Sequence, residues 1–357
     1  MYGARLLRVV YPEDNLILVA RSLKKAEEAK DIVDSVLPNI PSQSPTTTTT
    51  TTETESQADP TSSQSTTVSG SGRRGKILAF ECDQASLSSV RHFAERLRSA
   101  VTSNDDRNSS IRGLDVVCLN HAVLMAKGSR AQYSEDDLEL TFQTNHLGSF
   151  LLMNLICDLI PPGGRVVLTS SGLHEGPSFG DFVGILDGPT DDVRRDFDML
   201  DGSEFDYKEA YSTSKLCVTT FCIALNKKLQ DLNRGIVVNC FSPGLITSTG
   251  LFRHQSFLTR VTYATMMNNF LGMGSTMQWG GGALAWMVLA DKAGERGGEF
   301  WRTPPGSSHR EPGYGTKFCV APMPKEAADE HNQQRIWKIS AALVGIDEDY
   351  MNQVTEK

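Results

Sequence analysis

Five short runs along the chain are apolar at nearly every position: NLILVA (15–20), KILAFEC (76–82), LDVVCLN (114–120), RVVLTSS (165–171) and GIVVNCF (235–241). A strand with one wet face alternates, whereas a strand covered on both faces reads as a continuous apolar run. Between these runs lie segments with helical periodicity, at 22–37, 86–101, 134–156 and around Tyr211. Such alternation predicts an α/β chain, a Rossmann-like doubly wound parallel sheet with helices on both faces. In that architecture ligands bind outside the carboxyl ends of the strands.

Residues 39–74 interrupt the pattern with a Thr/Ser-rich tract that has almost no apolar side chain. It cannot bury enough surface to offset its ordering entropy and reads as a disordered insertion. The expected division is therefore 1–38, 39–74 and 75–357. The first and last parts belong to one domain, the last with a substrate lid and a C-terminal helix. The run NLILVA ends in Arg21, as a second strand would, and no GxxxGxG occurs anywhere. MYGARLLRVV reads as the last turns of a first helix, so the sheet is expected to lack its first strand and Gly-rich loop. The glycines of GGGALAW (280–286) follow no strand and are expected to permit close packing.

Composition removes several classes. The net charge of −8 excludes the basic face of a nucleic-acid binder. The longest apolar run, near 150–160, is broken by Asn154, Cys157 and Asp158 and is too short to span a bilayer. Seven cysteines without a CxxC pair read as reduced thiols, with no metal site.

Candidate chemistry gathers at the strand ends. Tyr211 and Lys215 are four apart and share a helix face. An ammonium beside a phenol favours the phenolate and lowers its pKa, so such a Tyr can exchange a proton near neutral pH. A lone YxxxK is also an ordinary solvated pair, and its context decides. Ser171 closes RVVLTSS, where a hydroxyl can hydrogen-bond a substrate oxygen. Asn145 falls mid-helix, where Asn is a poor helix former. Asn120 and Ala122 end LDVVCLNHAV, and Pro243, Gly244 and Ser248 follow GIVVNCF.

This order of features resembles the short-chain dehydrogenase/reductase family, over nearly the whole chain outside 39–74. The resemblance implies an NADPH/NADP-dependent enzyme acting on a small-molecule substrate. It implies Tyr211 as catalytic acid, Lys215 as its partner and a ribose ligand, and Ser171 and Asn145 as the rest of a catalytic tetrad. It also implies cofactor contacts from Asn120, Ala122, Pro243, Gly244 and Ser248, and from Asp83 at the adenine. Arg21, with Lys24 or Lys25, would select NADP. FDYKEAYSTSKLC, SPGLITSTGLFR, the Phe-Trp pair near 300 and RIWKISAALVGI (335–346) are similar to one branch of the family, the light-dependent protochlorophyllide reductases. That branch implies a large apolar substrate, a lid between Ser171 and Tyr211, a plastid location, and either a homo-oligomer or peripheral membrane association. It carries a Cys directly after Pro-Gly, where this chain has Leu245. Three readings follow: a protochlorophyllide reductase, a dark carbonyl reductase or alcohol dehydrogenase for a bulky apolar substrate, and a non-catalytic cofactor- or pigment-binding protein.

Overall fold

The computed structural model describes residues 15–35, 76–102, 113–179, 204–266, 274–303 and 318–355. The expected insertion at 39–74, the expected helix remnant at 1–10 and most of the expected lid lie outside these residues.

All five apolar runs are strands. β1 (Leu16–Ala20) pairs in parallel with β2 (Ile77–Glu81). β3 (Val116–Leu119), β4 (Arg165–Thr169) and β5 (Val237–Phe241) continue in parallel in a second sheet. Two strands escaped the sequence reading. β6 (Phe300–Arg302) pairs in parallel with β5, and β7 (Cys319–Ala321) runs antiparallel to β6 at the edge. Each has three residues, too few for a periodic signal. Among the described residues the strand orders are β1-β2 and β3-β4-β5-β6-β7.

Side chains alternate across β4 and β5, and each set has its own core. Val166 and Leu168, with Val238 and Cys240, face a large cluster that includes Leu147, Phe150, Leu216, Phe221 and Leu225. Val167 and Phe241 face a smaller one with Ala283, Met287, Trp301 and Phe318. Both faces are thus covered, which is why the runs are apolar throughout. The longer helices are α1 (Leu23–Asp34), α2 (Leu87–Thr102), α3 (Leu140–Phe142, Gln143–Leu147 and Gly148–Ile156 in succession), α4 (Tyr207–Asp231), α5 (Phe257–Thr265), α6 (Met277–Leu289) and α7 (Glu330–Val344). Gly280 on α6 bears out the packing expectation, since a Cβ there would lie 2.2 Å from Ile246 Cδ1.

Helix α3 starts later than the predicted 134. Glu139 caps it by accepting from the Thr141 and Phe142 amides at 2.8 and 2.7 Å, and Asp137 before it takes the left-handed φ of 58°. Its middle piece, Gln143–Leu147, is a π-helical turn. A π-turn inserts one residue and re-aims the side chains around it, often at a functional site.

Two histidines are packed into the core. His146 stacks on Phe142 with centroids 5.3 Å apart and bonds Ser340 Oγ through Nε2 at 2.8 Å. His174 bonds Thr219 Oγ1 through Nδ1 at 2.8 Å. Burial pushes His146 down to about 3, and burial with the Arg302 guanidinium pushes His174 down to about 4. The unfolded chain binds these protons near the ordinary histidine value, the folded chain only below 3 to 4. Stability therefore falls as pH drops from about 6.5, by roughly 5 kcal/mol in full for His146 and roughly 3 for His174. We expect acid unfolding, followed by tryptophan fluorescence, to have its midpoint above pH 4. His146→Phe should move that midpoint lower, and an unmoved midpoint would refute the assignment.

Candidate active site

The carboxyl ends of β3, β4 and β5 bring several of the expected residues together. α4 begins at Asp206, whose carboxylate accepts from the Lys208 and Glu209 amides, each at 2.9 Å. One turn on, Tyr211 and Lys215 face inward, 6% and 1% exposed. They are not a surface pair. The Lys215 ammonium lies 5.9 Å from the Tyr211 ring centroid. It donates to the carbonyl of Thr169, the last residue of β4, at 2.8 Å.

Ser171 follows β4, and its hydroxyl lies near enough to the Tyr211 phenol to oppose the rise in the phenol's pKa. The Ser171 hydroxyl also accepts from the Leu173 amide at 3.2 Å, capping a 3-10 turn over Gly172–Glu175. The strand-end serine and the helix tyrosine thus meet, although forty positions separate them in the numbering.

Asn145 is buried in the π-turn of α3. Its Oδ1 accepts from the Val123 amide at 2.7 Å, and its Nδ2 donates to the Val123 carbonyl at 3.1 Å and to Ser214 Oγ at 2.9 Å. Ser214 in turn donates to the Tyr211 carbonyl at 2.7 Å. One amide therefore joins the NHAV turn to the first turns of α4. Asn120 accepts from Thr169 Oγ1 at 2.8 Å, which ties the ends of β3 and β4. Ala122 is half-buried in the same turn.

One electrostatic expectation is corrected. Lys215 was expected to lower the Tyr211 pKa, but burial pushes the phenol up to about 12, with only the Ser171 hydroxyl opposing. Burial likewise pulls the Lys215 ammonium down to about 8, opposed by Cys240. Both groups have lost water, and desolvation is the largest cause of each shift.

The other expected cofactor residues follow β1, β2 and β5. Arg21 is exposed beyond β1, and Lys24 and Lys25 are exposed on α1. Asp83, after β2, accepts from the Ala85 amide through Oδ1 at 3.1 Å. Gly244, after β5, takes the left-handed φ of 79°, Pro243 is half-buried, and Ser248 is exposed. Among the described residues no hydrogen bond joins Arg21, Lys24 or Ser248 to the Tyr–Lys pair.

One residue near the expected cofactor contacts was not singled out by the sequence, and one in the NHAV tract gains its partners from the fold. Arg253, in the turn after β5, lies within electrostatic reach of both Arg21 and Asp83. His121 bonds Ser149 Oγ through Nε2 at 3.1 Å and the Thr144 backbone, and is pushed down to about 3 by burial and by Lys215. Arg253 stands in no spacing motif, so only the fold could reveal it, whereas His121 lies in the NHAV tract and the fold supplies its partners.

The donor set suits a nicotinamide nucleotide. A buried ammonium has three hydrogens, and Lys215 has one acceptor, Thr169, among the described residues. That ammonium lies beside the Tyr211 ring, and Ser171 lies near the Tyr211 hydroxyl.

A parallel α/β sheet with a strand-end Ser, a helix Tyr-x-x-x-Lys and a mid-helix Asn is the arrangement of the short-chain dehydrogenases/reductases, and this chain carries that Rossmann-like fold and those four residues. In particular, it is a distant homologue of the protochlorophyllide reductases. It is 28% identical over 278 residues to the chloroplastic protochlorophyllide reductase of Daucus carota, covering 74% of this chain and 64% of that protein. With the Chlamydomonas reinhardtii protein it is 26% identical over 288 residues, 76% of this chain and 66% of that one. The match thus spans a little under two thirds of the length of these relatives. No family model matches the chain. A solved structure of an uncharacterized protein from Mycobacterium Paratuberculosis shares the fold, with a TM-score of 0.57, 19% identity, and coverage of 97% of this chain and 88% of that one.

The buried ammonium yields a prediction. Between about pH 8 and its ordinary value of 10.5, the unfolded chain holds a proton that the folded chain has released. Stability from this group therefore rises with pH across that window. Lys215→Met should stabilise the fold at pH 7 by roughly 1–2 kcal/mol after the lost Thr169 hydrogen bond is subtracted, read as a higher melting temperature. The gain should vanish above pH 10; a melting temperature lowered at pH 7 would overturn this account.

Proposed function

We propose that the protein is an NADPH-dependent oxidoreductase of the short-chain type, with a protochlorophyllide-like pigment as substrate and a plastid as its location. The observation that carries this reading is the buried Tyr211 side chain, with the Lys215 ammonium 5.9 Å from its ring centroid and Ser171 near its hydroxyl. The similarity to protochlorophyllide reductases supplies the substrate class.

Bound NADPH supplies the hydride. Lys215 directs its free hydrogens at the ribose hydroxyls, and Asn120, Ala122, Pro243, Gly244 and Ser248 line the cofactor. Arg21, with Lys24, meets the phosphate that distinguishes NADP, and Asp83 meets the adenine. Tyr211 gives its phenolic proton to the reduced carbon, and Ser171 orients that hydroxyl. Since the phenol stands at about 12 without ligand, it is fully protonated at neutral pH and ready to donate. Asn145 holds the NHAV turn and α4 in register. Removing a positioned proton donor of this kind costs about 10²–10⁴ in rate.

Leu245 favours a second reading. It has no proton to give, and its backbone is fixed by a bridge to Gly274 and a 2.7 Å bond from the Ser275 amide to its carbonyl. A dark reductase of a bulky apolar carbonyl compound uses the same four residues, with Tyr211 protonating the carbonyl oxygen.

Spectra of the protein with NADPH and protochlorophyllide, in darkness and after a flash, separate these readings. A red-shifted product only after illumination is expected. NADPH oxidation by carbonyl compounds in darkness, with the pigment unchanged, supports the second reading instead. Binding without turnover of either substrate refutes both. Tyr211→Phe should lower turnover by about 10²–10⁴ and leave the NADPH dissociation constant nearly unchanged; retained turnover would remove the proton-donor role.

A further inference from the structure

Strand β6 ends in Arg302. Because β6 runs parallel to β5, Arg302 stands at the carboxyl edge of the sheet, where a doubly wound fold receives its ligands. Side chains alternate along the strand. Phe300 belongs to the large cluster, with Leu216 and Phe221 of α4, and Trp301 belongs to the small one. Arg302 therefore points to the side of the sheet that carries α4, and with it Tyr211 and Lys215.

Its guanidinium reaches the turn after β4. Nη1 lies 3.9 Å from where a Cβ on Gly172 would stand, and Gly172 directly follows Ser171. A fixed positive charge thus sits one residue from the serine placed beside the Tyr211 hydroxyl. The guanidinium is held by Glu175, with Nη1 donating to Oε1 at 2.5 Å.

The two partners are unlike. Arg302 is tied into the sheet, paired through its backbone with Cys319 of β7, and its side chain is 24% exposed. Glu175 closes a four-residue 3-10 turn, and its side chain is 48% exposed. His174 anchors that turn, with its ring centroid 4.3 Å from that of Phe300 and its Nδ1 bonded to Thr219, so the Glu175 carboxylate can leave without the turn unravelling. An ion pair with so exposed a carboxylate adds little to stability, because water screens it. A guanidinium fork matches any carboxylate, and exchanging one for another leaves no charge unpaired.

We infer that Arg302 is a specificity residue that receives a carboxylate of the substrate, and that Glu175 occupies the guanidinium until that substrate enters. The inference rests on the oxidoreductase reading above and narrows its substrates to apolar compounds that bear a carboxylate apart from the reduced centre.

Binding to the full chain with NADPH, followed in darkness by tryptophan fluorescence, tests it. The probes are protochlorophyllide against its methyl ester, and para-formylbenzoic acid against its methyl ester. In at least one pair the wild-type chain should hold the free acid about tenfold more tightly than the ester, the worth of one hydrogen bond to a charged group. Arg302→Gln should erase that preference. Glu175→Gln removes the competing carboxylate, so it should tighten the acid and leave the ester unmoved. A purely structural ion pair would not give opposite signs in the two variants, and Glu175→Gln, a surface change, decides the matter even if Arg302→Gln fails to fold. Equal binding of acid and ester in both pairs, no binding of any probe, or a Glu175→Gln chain that holds the acid no more tightly would each refute the inference. If the pigment is reduced after a flash yet bound equally as acid and ester, the pigment reading stands without it. If only the formylbenzoate pair shows the preference and the pigment is not reduced, the inference stands and the pigment reading falls.

Discussion

An ammonium removed from water governs the geometry of this site. Lys215 is 1% exposed and donates to the Thr169 carbonyl at the end of β4. Keeping a charge there is unfavourable, as its depressed pKa records. The fold tolerates it because α4 is clamped from several sides. Thr219, one turn later, donates to the Lys215 carbonyl at 3.0 Å, and Ser170 donates to the same carbonyl at 3.2 Å. His174 bonds Thr219 from behind. The lysine cannot swing out to solvent without breaking this packing, so the strain is retained where chemistry can use it.

The second constraint is the π-turn in α3. A regular helix would continue past Asn145 without turning its amide inward. The inserted residue aims Asn145 at Val123 and Ser214 at once. An amide has one acceptor and one donor group, and this one spends both on fixing two segments relative to each other. The NHAV turn on one side and Tyr211 on the other are thereby placed by a single side chain. The departure from helical geometry is the device that assembles the site. The Tyr–Lys spacing supplies only the pair.

Much of the fold was legible in the chain. All five apolar runs became parallel strands because helices cover both faces of the sheet. β6 and β7 were not legible, since three residues carry no period and their pairing depends on β5 arriving beside them. The start of α3 was misplaced because Glu139 caps it through its own side chain, an exception to the usual preference for shorter polar residues. Arg253 was missed because its neighbours, Arg21 and Asp83, come from distant parts of the chain.

The sequence by itself determined the α/β class, the order of the strands along the chain, and the identity of Tyr211, Lys215, Ser171 and Asn145 as one constellation. These follow from local period and residue type, which survive without coordinates. Only the tertiary structure decided the electrostatics. The spacing of Tyr211 and Lys215 predicted an acidified phenol, whereas the folded chain holds it at about 12. Spacing counts neighbours along a helix, but a pKa responds to how much water the surrounding elements exclude, and that is set by β4, α3 and α4 closing together.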